Sequence, residues 1–162
     1  MAKIKIDGFE EISKKITELG AAGEAIGRMA VYDGAKVIAD ELRKKINGLP
    51  TEDNRLLIDG DKFNVITARD KTDLVNSMGV SGIMSEADGV RTVIGFAGYG
   101  RRKTKKYPNG LPMAMLARSI ESGSSVREKH PFIRKAVNAK KKEAIRAMIE
   151  RAEYQIKTTM ER

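Results

Sequence analysis

Hydrophobic residues recur along this chain at the three- and four-residue spacing of amphipathic helices in four stretches. The longest stretches span 21–46 and 132–160, and the shorter ones span 9–19 and 112–122. Glycine commonly ends a helix, so Gly20 is predicted to separate the first two helices. In the last helix the predicted core-facing stripe consists of Ile133, Val137, Ala144, Ile145, Met148, Ile149, Ala152 and Ile156.

The middle of the chain has the pattern of a β-hairpin. Residues 89–96 alternate in side-chain character, 80–84 form a second short candidate strand, and Ala87-Asp88-Gly89 between them is a turn signal. A short helix capped by Thr72 is predicted just before the hairpin. The order helix, small sheet, helix predicts an α+β fold in a single domain spanning 1–162. A small antiparallel sheet, built on the hairpin, would be packed by N-terminal helices and a long C-terminal helix.

Two polar, glycine-containing segments, 48–71 and 97–110, are predicted to be mobile loops. Connections of this length without regular structure are usually functional or mobile. The first could hold a short strand near 64–67, and residues 3–7 have the alternation of a short extended segment.

Residue types that support common enzyme chemistry are scarce. The 162 residues contain no Cys and one His, which excludes disulfides, thiolate nucleophiles and multi-histidine metal sites. His130 is followed by Pro131, which disfavours helical geometry at the histidine, and we interpret His130 as a structural residue. We therefore expect no enzymatic activity, no metal and no cofactor.

Targeting and membrane-spanning patterns are not found either. The first residues lack the apolar core of a signal peptide, and no apolar run approaches the length of a membrane span. The default expectation is a protein made in the cytoplasm, without a membrane partner.

The formal net charge of +9 is distributed unevenly. Residues 1–100 carry −2, 101–106 carry +5, 107–126 carry zero and 127–162 carry +6, which together give +9. The chain therefore combines a nearly neutral body with two cationic segments. A basic excess is typical of proteins that bind nucleic acids, anionic membranes or acidic proteins, but it also serves solubility alone.

The first cationic segment, which we call the basic loop (residues 101–106), is the best sequence argument for nucleic-acid binding. Its cations could neutralise phosphates while two flanking tyrosines stack on bases. A solvated loop that becomes ordered against a protein partner accounts for it equally well. The residues concerned are Tyr99, Arg101, Arg102, Lys103, Lys105, Lys106 and Tyr107.

The C-terminal helix offers a second basic surface with two interpretations. Lys140, Lys141 and Lys142 are consecutive, so they spread over most of a helical turn instead of forming one contact face. The helix could be a DNA-contacting arm or an assembly element that packs on a neighbouring copy.

Two segments, 117–124 and 130–136, resemble a tail-component family of long-tailed phages (gene product ten-like), the tail-completion or head–tail joining proteins. In that family a small helix ends in a glutamate and a glycine, a variable loop follows, and a Pro-Phe motif opens a long helix. Gly8-Phe9-Glu10-Glu11 and Leu74-Val75-Asn76-Ser77 also fit the family order. Ser122 and Lys135 depart from the pattern. The matching residues are Ala117, Ile120, Glu121, Gly123, Pro131, Phe132, Ile133, Arg134 and Ala136.

The resemblance implies a structural virion protein of the phage neck or tail top, assembled in the host cytoplasm. It implies a homo-oligomer, a hexameric ring, that completes or terminates the tail. Its neighbours would be a head-side connector or stopper protein and the tail-tube protein, with non-specific contact to passing DNA. Glu121, at the unfavourable end of its helix, is expected to cap its own loop or to bind an Arg or backbone amide in this subunit or the next.

Overall fold

The computed structural model describes residues 9–51, 66–86, 89–125 and 127–161, except the side chains of 9–17 and of Glu86. The predicted α+β class is confirmed, while the predicted extended segment at 3–7 lies outside the described residues. The elements in chain order are α1 (Phe9–Asn47), α2 (Ala68–Ser77), β1 (Met78–Val80), β2 (Met84–Glu86), β3 (Gly89–Arg91), β4 (Ile94–Phe96), α3 (Met113–Ser122) and α4 (Ile133–Met160).

The two long helices, α1 and α4, pack side by side and antiparallel. The Arg151 Nε lies 3.2 Å from the Asp33 carboxylate, and the Met148 side chain fills the space where a Cβ at Gly34 would lie. Near the other end of α4, Lys140 is in the electrostatic field of Glu41. Because Gly34 has no side chain, the Met148 side chain can lie directly on the α1 backbone.

The hydrophobic core lies between the second half of α1, α2, α3 and the start of α4. Partly buried residues of β1 and β4 pack against it. Its largest fully buried apolar side chains are Ile46, Leu74, Met113, Leu116 and Ile120. Because these four helices are separated in the sequence, their packing into one core fixes the points at which the connecting loops begin and end.

The predicted hairpin is present, but its strands are interrupted. Strand β1 pairs with β4, with Met78 opposite Phe96, and β2 pairs with β3, with Met84 opposite Arg91. Between the two paired stretches, the three residues 81–83 on one side of the hairpin lie opposite the two residues 92–93 on the other. One extra residue on one strand is the geometry of a β-bulge. The predicted limits 80–84 and 89–96 were therefore wrong in detail, because local alternation does not reveal a bulge.

Two predicted helix boundaries were also wrong. Helix α1 continues through Gly20, because one glycine inside a helix costs only about 1 kcal/mol and ending the helix would lose backbone hydrogen bonds. Helix α2 begins at Ala68, and its cap is Thr67, whose hydroxyl accepts a hydrogen bond from the Asp70 amide (3.0 Å). Thr72 lies inside α2 and donates to the Ala68 carbonyl.

The two predicted loops differ from each other. Most of 48–71 lies outside the described residues, and its last four residues belong to α2. Of the predicted strand at 64–67, Ile66 pairs in parallel with Thr51. The loop 97–110 is tied by backbone hydrogen bonds between Gly100 and Leu111 (2.8 Å) and between Thr104 and Tyr107 (3.0 and 3.1 Å). The mobility of both segments stays a prediction.

The predicted core-facing stripe of α4 was partly wrong. Ala144 is buried as expected, but Val137, Ile145, Ile149 and Ile156 remain exposed. The buried face of α4 instead contains Ala136 and Ala144. Their small side chains allow α4 to approach the neighbouring elements closely.

Candidate interaction surface

The residues that carry the family resemblance come together where α3 ends and α4 begins. Glu121 accepts hydrogen bonds from the backbone amides of Ile133 (2.7 Å) and Arg134 (3.1 Å). The Arg134 Nε is 3.4 Å from the same carboxylate. Residue Phe132, at the N-cap of α4, makes no side-chain capping bond, so Glu121 replaces the usual cap from the preceding helix. We call this connection, residues 120–123 and 130–134, the clasp.

The chain path through the clasp depends on Gly123. Its φ of +77° lies in the region that side-chain-bearing residues avoid, so a glycine suits this position. The His130 amide then donates to the Ile120 carbonyl (2.7 Å), which closes the loop. Thus Glu121 binds both an arginine and backbone amides, and all of these partners are in its own chain.

Apolar residues of the motif anchor both sides of the clasp. Phe132 is buried and meets Phe96 of β4 edge to face, with ring centroids 6.2 Å apart. Ala117 and Ala136 are buried in the same core, and Ile133 packs against it. Pro131 lies at the outer edge of the clasp and is partly exposed. The structure therefore gathers all nine motif residues at one junction.

The basic loop is held to α2 by its first arginine. The Arg101 backbone amide donates to one oxygen of Asp73 (2.8 Å) and its Nε donates to the other (2.7 Å). A guanidinium and an amide on one carboxylate form charge-assisted hydrogen bonds, which are stronger than neutral ones. Arg101 thus fixes the position of the loop.

The second arginine, Arg102, reaches from the surface to a buried carboxylate. Arg102 Nη1 lies 3.5 Å from the Asp70 carboxylate, whose residue is 1% exposed. Arg127, from the connection after α3, is also buried and is influenced by both residues. Burial lowers the pKa of the Arg127 guanidinium below its ordinary value, while the Asp70 carboxylate raises it and Arg102 lowers it further. Asp70 and Arg127 are buried, whereas the Arg102 side chain is 43% exposed; we call these three residues the Asp70 charge cluster.

Three lysines of the basic loop remain available to a partner. Lys103, Lys105 and Lys106 are exposed, and none forms an ion pair with a residue that the structure describes. The ammonium of Lys106 lies 5.6 Å from the Tyr107 ring centroid, within cation–π range. The available charge of the loop is therefore carried by lysines, not by arginines.

The two flanking tyrosines have different environments. Tyr107 is partly buried against the core, and its hydroxyl donates to the Met115 sulfur (3.2 Å). Tyr99 is 68% exposed. Only Tyr99 of the pair therefore presents most of its ring to solvent, so the predicted pair of stacking tyrosines is reduced to one.

An open pocket of about 420 Å³ lies beside the clasp. Its floor is apolar, formed in part by Leu49 and Phe132. Three lysines stand around it: Lys44 and Lys45 from the end of α1, of which Lys45 is paired with Glu41 (3.3 Å), and Lys135 from the start of α4. Such a combination favours acidic segments with an apolar anchor.

Sequence reasoning missed the carboxylates that organise this region. Asp70 and Asp73 are three residues apart in α2, a spacing that places them on the same side of a helix. That spacing could have indicated a pair of carboxylates on one face of α2 as a binding site for cations. Arg127 gave none, because its partners are distant in the sequence.

The described residues contain no group of three or more His, Asp or Glu side chains arranged to hold a metal ion. Among the same residues, no helix has both the length and the apolar character needed to cross a membrane. No protein-family model, curated protein or solved structure matches this chain.

Proposed function

We propose that this protein is a structural subunit of the neck or tail top of a long-tailed phage. In this proposal, copies form a ring, hexameric by analogy with the family it resembles, that completes or terminates the tail and joins it to the head connector. The observation that carries it is the clasp. Motif residues on either side of the 124–129 connection act as one structural unit, as an architecture shared with the resembled family would require.

The surface charges supply a means of docking on neighbouring proteins. Lys103, Lys105 and Lys106 project from a loop that α2 holds in place. The lysine-rimmed pocket beside the clasp adds a second cationic area. Acidic surfaces on the head-side connector or stopper protein, or on the tail-tube protein, would be complementary to both, and complementary charge favours correct docking.

Deletion of the gene from its phage tests this proposal directly. We expect the lysate to contain filled heads and tails that have not joined, or tails of abnormal length, in negative-stain micrographs. Complementation with the wild-type gene should restore joined particles. A Lys103→Glu/Lys105→Glu/Lys106→Glu variant should restore fewer, because charge reversal repels an acidic neighbour. Joined, infectious particles from the deletion strain would overturn the proposal.

A nucleic-acid-binding role is the second candidate, favoured by Lys103, Lys105 and Lys106, which form no ion pair with a described residue, beside the exposed Tyr99. In a gel shift it requires binding that falls steeply with salt, because released counterions drive such binding. Lys105→Ser/Lys106→Ser should weaken it, whereas Lys36→Ser/Arg118→Ser, at exposed positions of α1 and α3 outside the pocket, is the charge-matched control. Arg101 and Arg102 should be left intact, because they hold the loop. Equal behaviour of the two variants would exclude this loop as the binding site.

A further inference from the structure

Helix α4 carries a row of exposed isoleucines. Ile145, Ile149 and Ile156 are 46%, 51% and 40% exposed. Their spacings of four and seven residues place them along one side of the helix, with Ala152 between the last two. Large apolar side chains aligned in this way mark contact surfaces more often than isolated exposed ones do.

This row is a second face of α4, separate from the face that α1 covers. The contacts with α1 run through Met148 and Arg151, and the buried positions are Ala136 and Ala144. On a helical projection, at 100° per residue, Ala144 is about 100° away from Ile145 and about 120° from Ile156. The isoleucine row therefore remains open after α1 and α4 have packed together.

Charged residues beside the row make it complementary to itself. Arg146 and Glu153 are seven residues apart on the same flank, and both are exposed. Neither makes an ion pair with any of the described residues. If two copies of α4 cross antiparallel about a two-fold axis near Glu150, Ile149 meets Ala152 of the second copy and Ile145 meets Ile156. The same arrangement brings Arg146 of each copy close to Glu153 of the other.

A parallel arrangement is less favourable. In a parallel pair the flank holding Arg146 would face the opposite flank of the second helix, which carries Lys141 at the corresponding level. Two like charges would then be adjacent, whereas the antiparallel pair places opposite charges together twice.

We infer that the isoleucine row of α4 is an interface with a second copy of this chain, formed by antiparallel packing of the two α4 helices. Such a contact is isologous and closes after two copies, so it leaves other surfaces available for the head-to-tail contacts of a ring. The inference concerns the protein in solution and does not depend on the phage role proposed above.

The first test is the mass of the full-length protein by light scattering after size exclusion, at concentrations up to about 100 μM. We expect a dimer, and we expect Ile149→Asp to give a monomer with unchanged helical circular dichroism. Tyr154→Asp is the matched control, because Tyr154 is 61% exposed on the other side of α4. A monomeric wild type, or an Ile149→Asp variant that associates like the wild type, would overturn the inference.

Charge reversal tests the alignment. Arg146→Glu alone and Glu153→Arg alone should each weaken association by about tenfold or more, since each creates two repulsive contacts per dimer. The double variant should restore the wild-type affinity to within about threefold. Failure of the double variant to recover would contradict the antiparallel alignment.

Disulfide trapping gives an independent check, because the native chain has no cysteine. Ile149→Cys and Ala152→Cys chains, distinguished by a mass tag, are mixed and oxidised. Because disulfides need Cα atoms about 4.4–6.8 Å apart, the antiparallel pair should give mainly the mixed 149–152 disulfide. A predominance of the two symmetric disulfides would show a different contact and refute the proposal.

Discussion

Replacing Glu121 tests the clasp most directly, because this carboxylate links the end of α3 to the start of α4. Glu121→Ala removes the acceptor of the Ile133 and Arg134 amides, at 2.7 and 3.1 Å, from a residue that is only 8% exposed. Loss of a helix N-cap costs about 1–2 kcal/mol, and loss of a negative charge near a helix N-terminus costs about 0.5–1 kcal/mol more. We therefore expect the free energy of unfolding to fall by about 2–3 kcal/mol.

Two further variants separate the contributions. Glu121→Gln keeps one amide acceptor but loses the charge, and should cost about 1 kcal/mol. Arg134→Ala keeps the backbone amide and removes an ion pair whose arginine side chain is 68% exposed, so it should cost no more than about 0.5 kcal/mol.

Urea unfolding followed by circular dichroism measures these differences, provided that all variants share one m-value. Amide hydrogen exchange adds a local readout: in Glu121→Ala, the Ile133 and Arg134 amides should lose protection relative to the amide of Leu116 in the core. A Glu121→Ala protein within about 0.5 kcal/mol of the wild type would refute the reasoning. Equal losses in Arg134→Ala and Glu121→Ala would instead assign the effect to the ion pair.

Two other predictions each compare a substitution at a packed position with the same substitution at an open one. Asp70→Asn should lower the free energy of unfolding by about 2–3 kcal/mol, because it leaves the buried Arg127 guanidinium and the partly exposed Arg102 without the Asp70 charge. Asp40→Asn, in an exposed pair, should cost under about 0.5 kcal/mol, and equal urea midpoints would contradict this. Gly34→Ala should destabilise by about 1–2 kcal/mol because Met148 occupies the space of the new methyl group. Gly20→Ala places its methyl group in open space and should raise the free energy of unfolding by up to about 1 kcal/mol. If thermal melts show that both Gly34→Ala and Gly20→Ala stabilise the protein, the close packing of Met148 on Gly34 is refuted.

Much of the element order could be predicted from local pattern. The hairpin, the helix that ends before Gly123 and the long C-terminal helix were all indicated by periodicity and turn residues. Their exact limits were not, because Gly20 could end a helix or lie within one, and both Thr67 and Thr72 could cap α2. Where a helix begins or ends at these residues depends on packing against distant parts of the chain, and the neighbouring sequence does not contain that information.

The candidate surface was predictable only in part. The basic loop was visible as a cluster of charge, yet the sequence could not distinguish arginines that hold the loop from lysines that are available to a partner. That distinction depends on Asp70 and Asp73, which lie about thirty residues before their arginine partners and meet them only when α2 and the loop fold together. Hydrophobic spacing alone places the isoleucines of α4 in the same core-facing stripe as Ala144, whereas in the structure they are exposed.

The sequence by itself determined that this chain forms amphipathic helices around a hairpin, lacks cysteine chemistry, and concentrates its excess positive charge in two segments. Those properties follow from residue types and short-range spacing. The tertiary structure decided which face of α4 is buried, which cations are neutralised, and that Glu121 caps the helix after its own. Each of these outcomes depends on contacts between residues far apart in sequence: small side chains let α1 and α4 approach, and this leaves the isoleucines of α4 exposed.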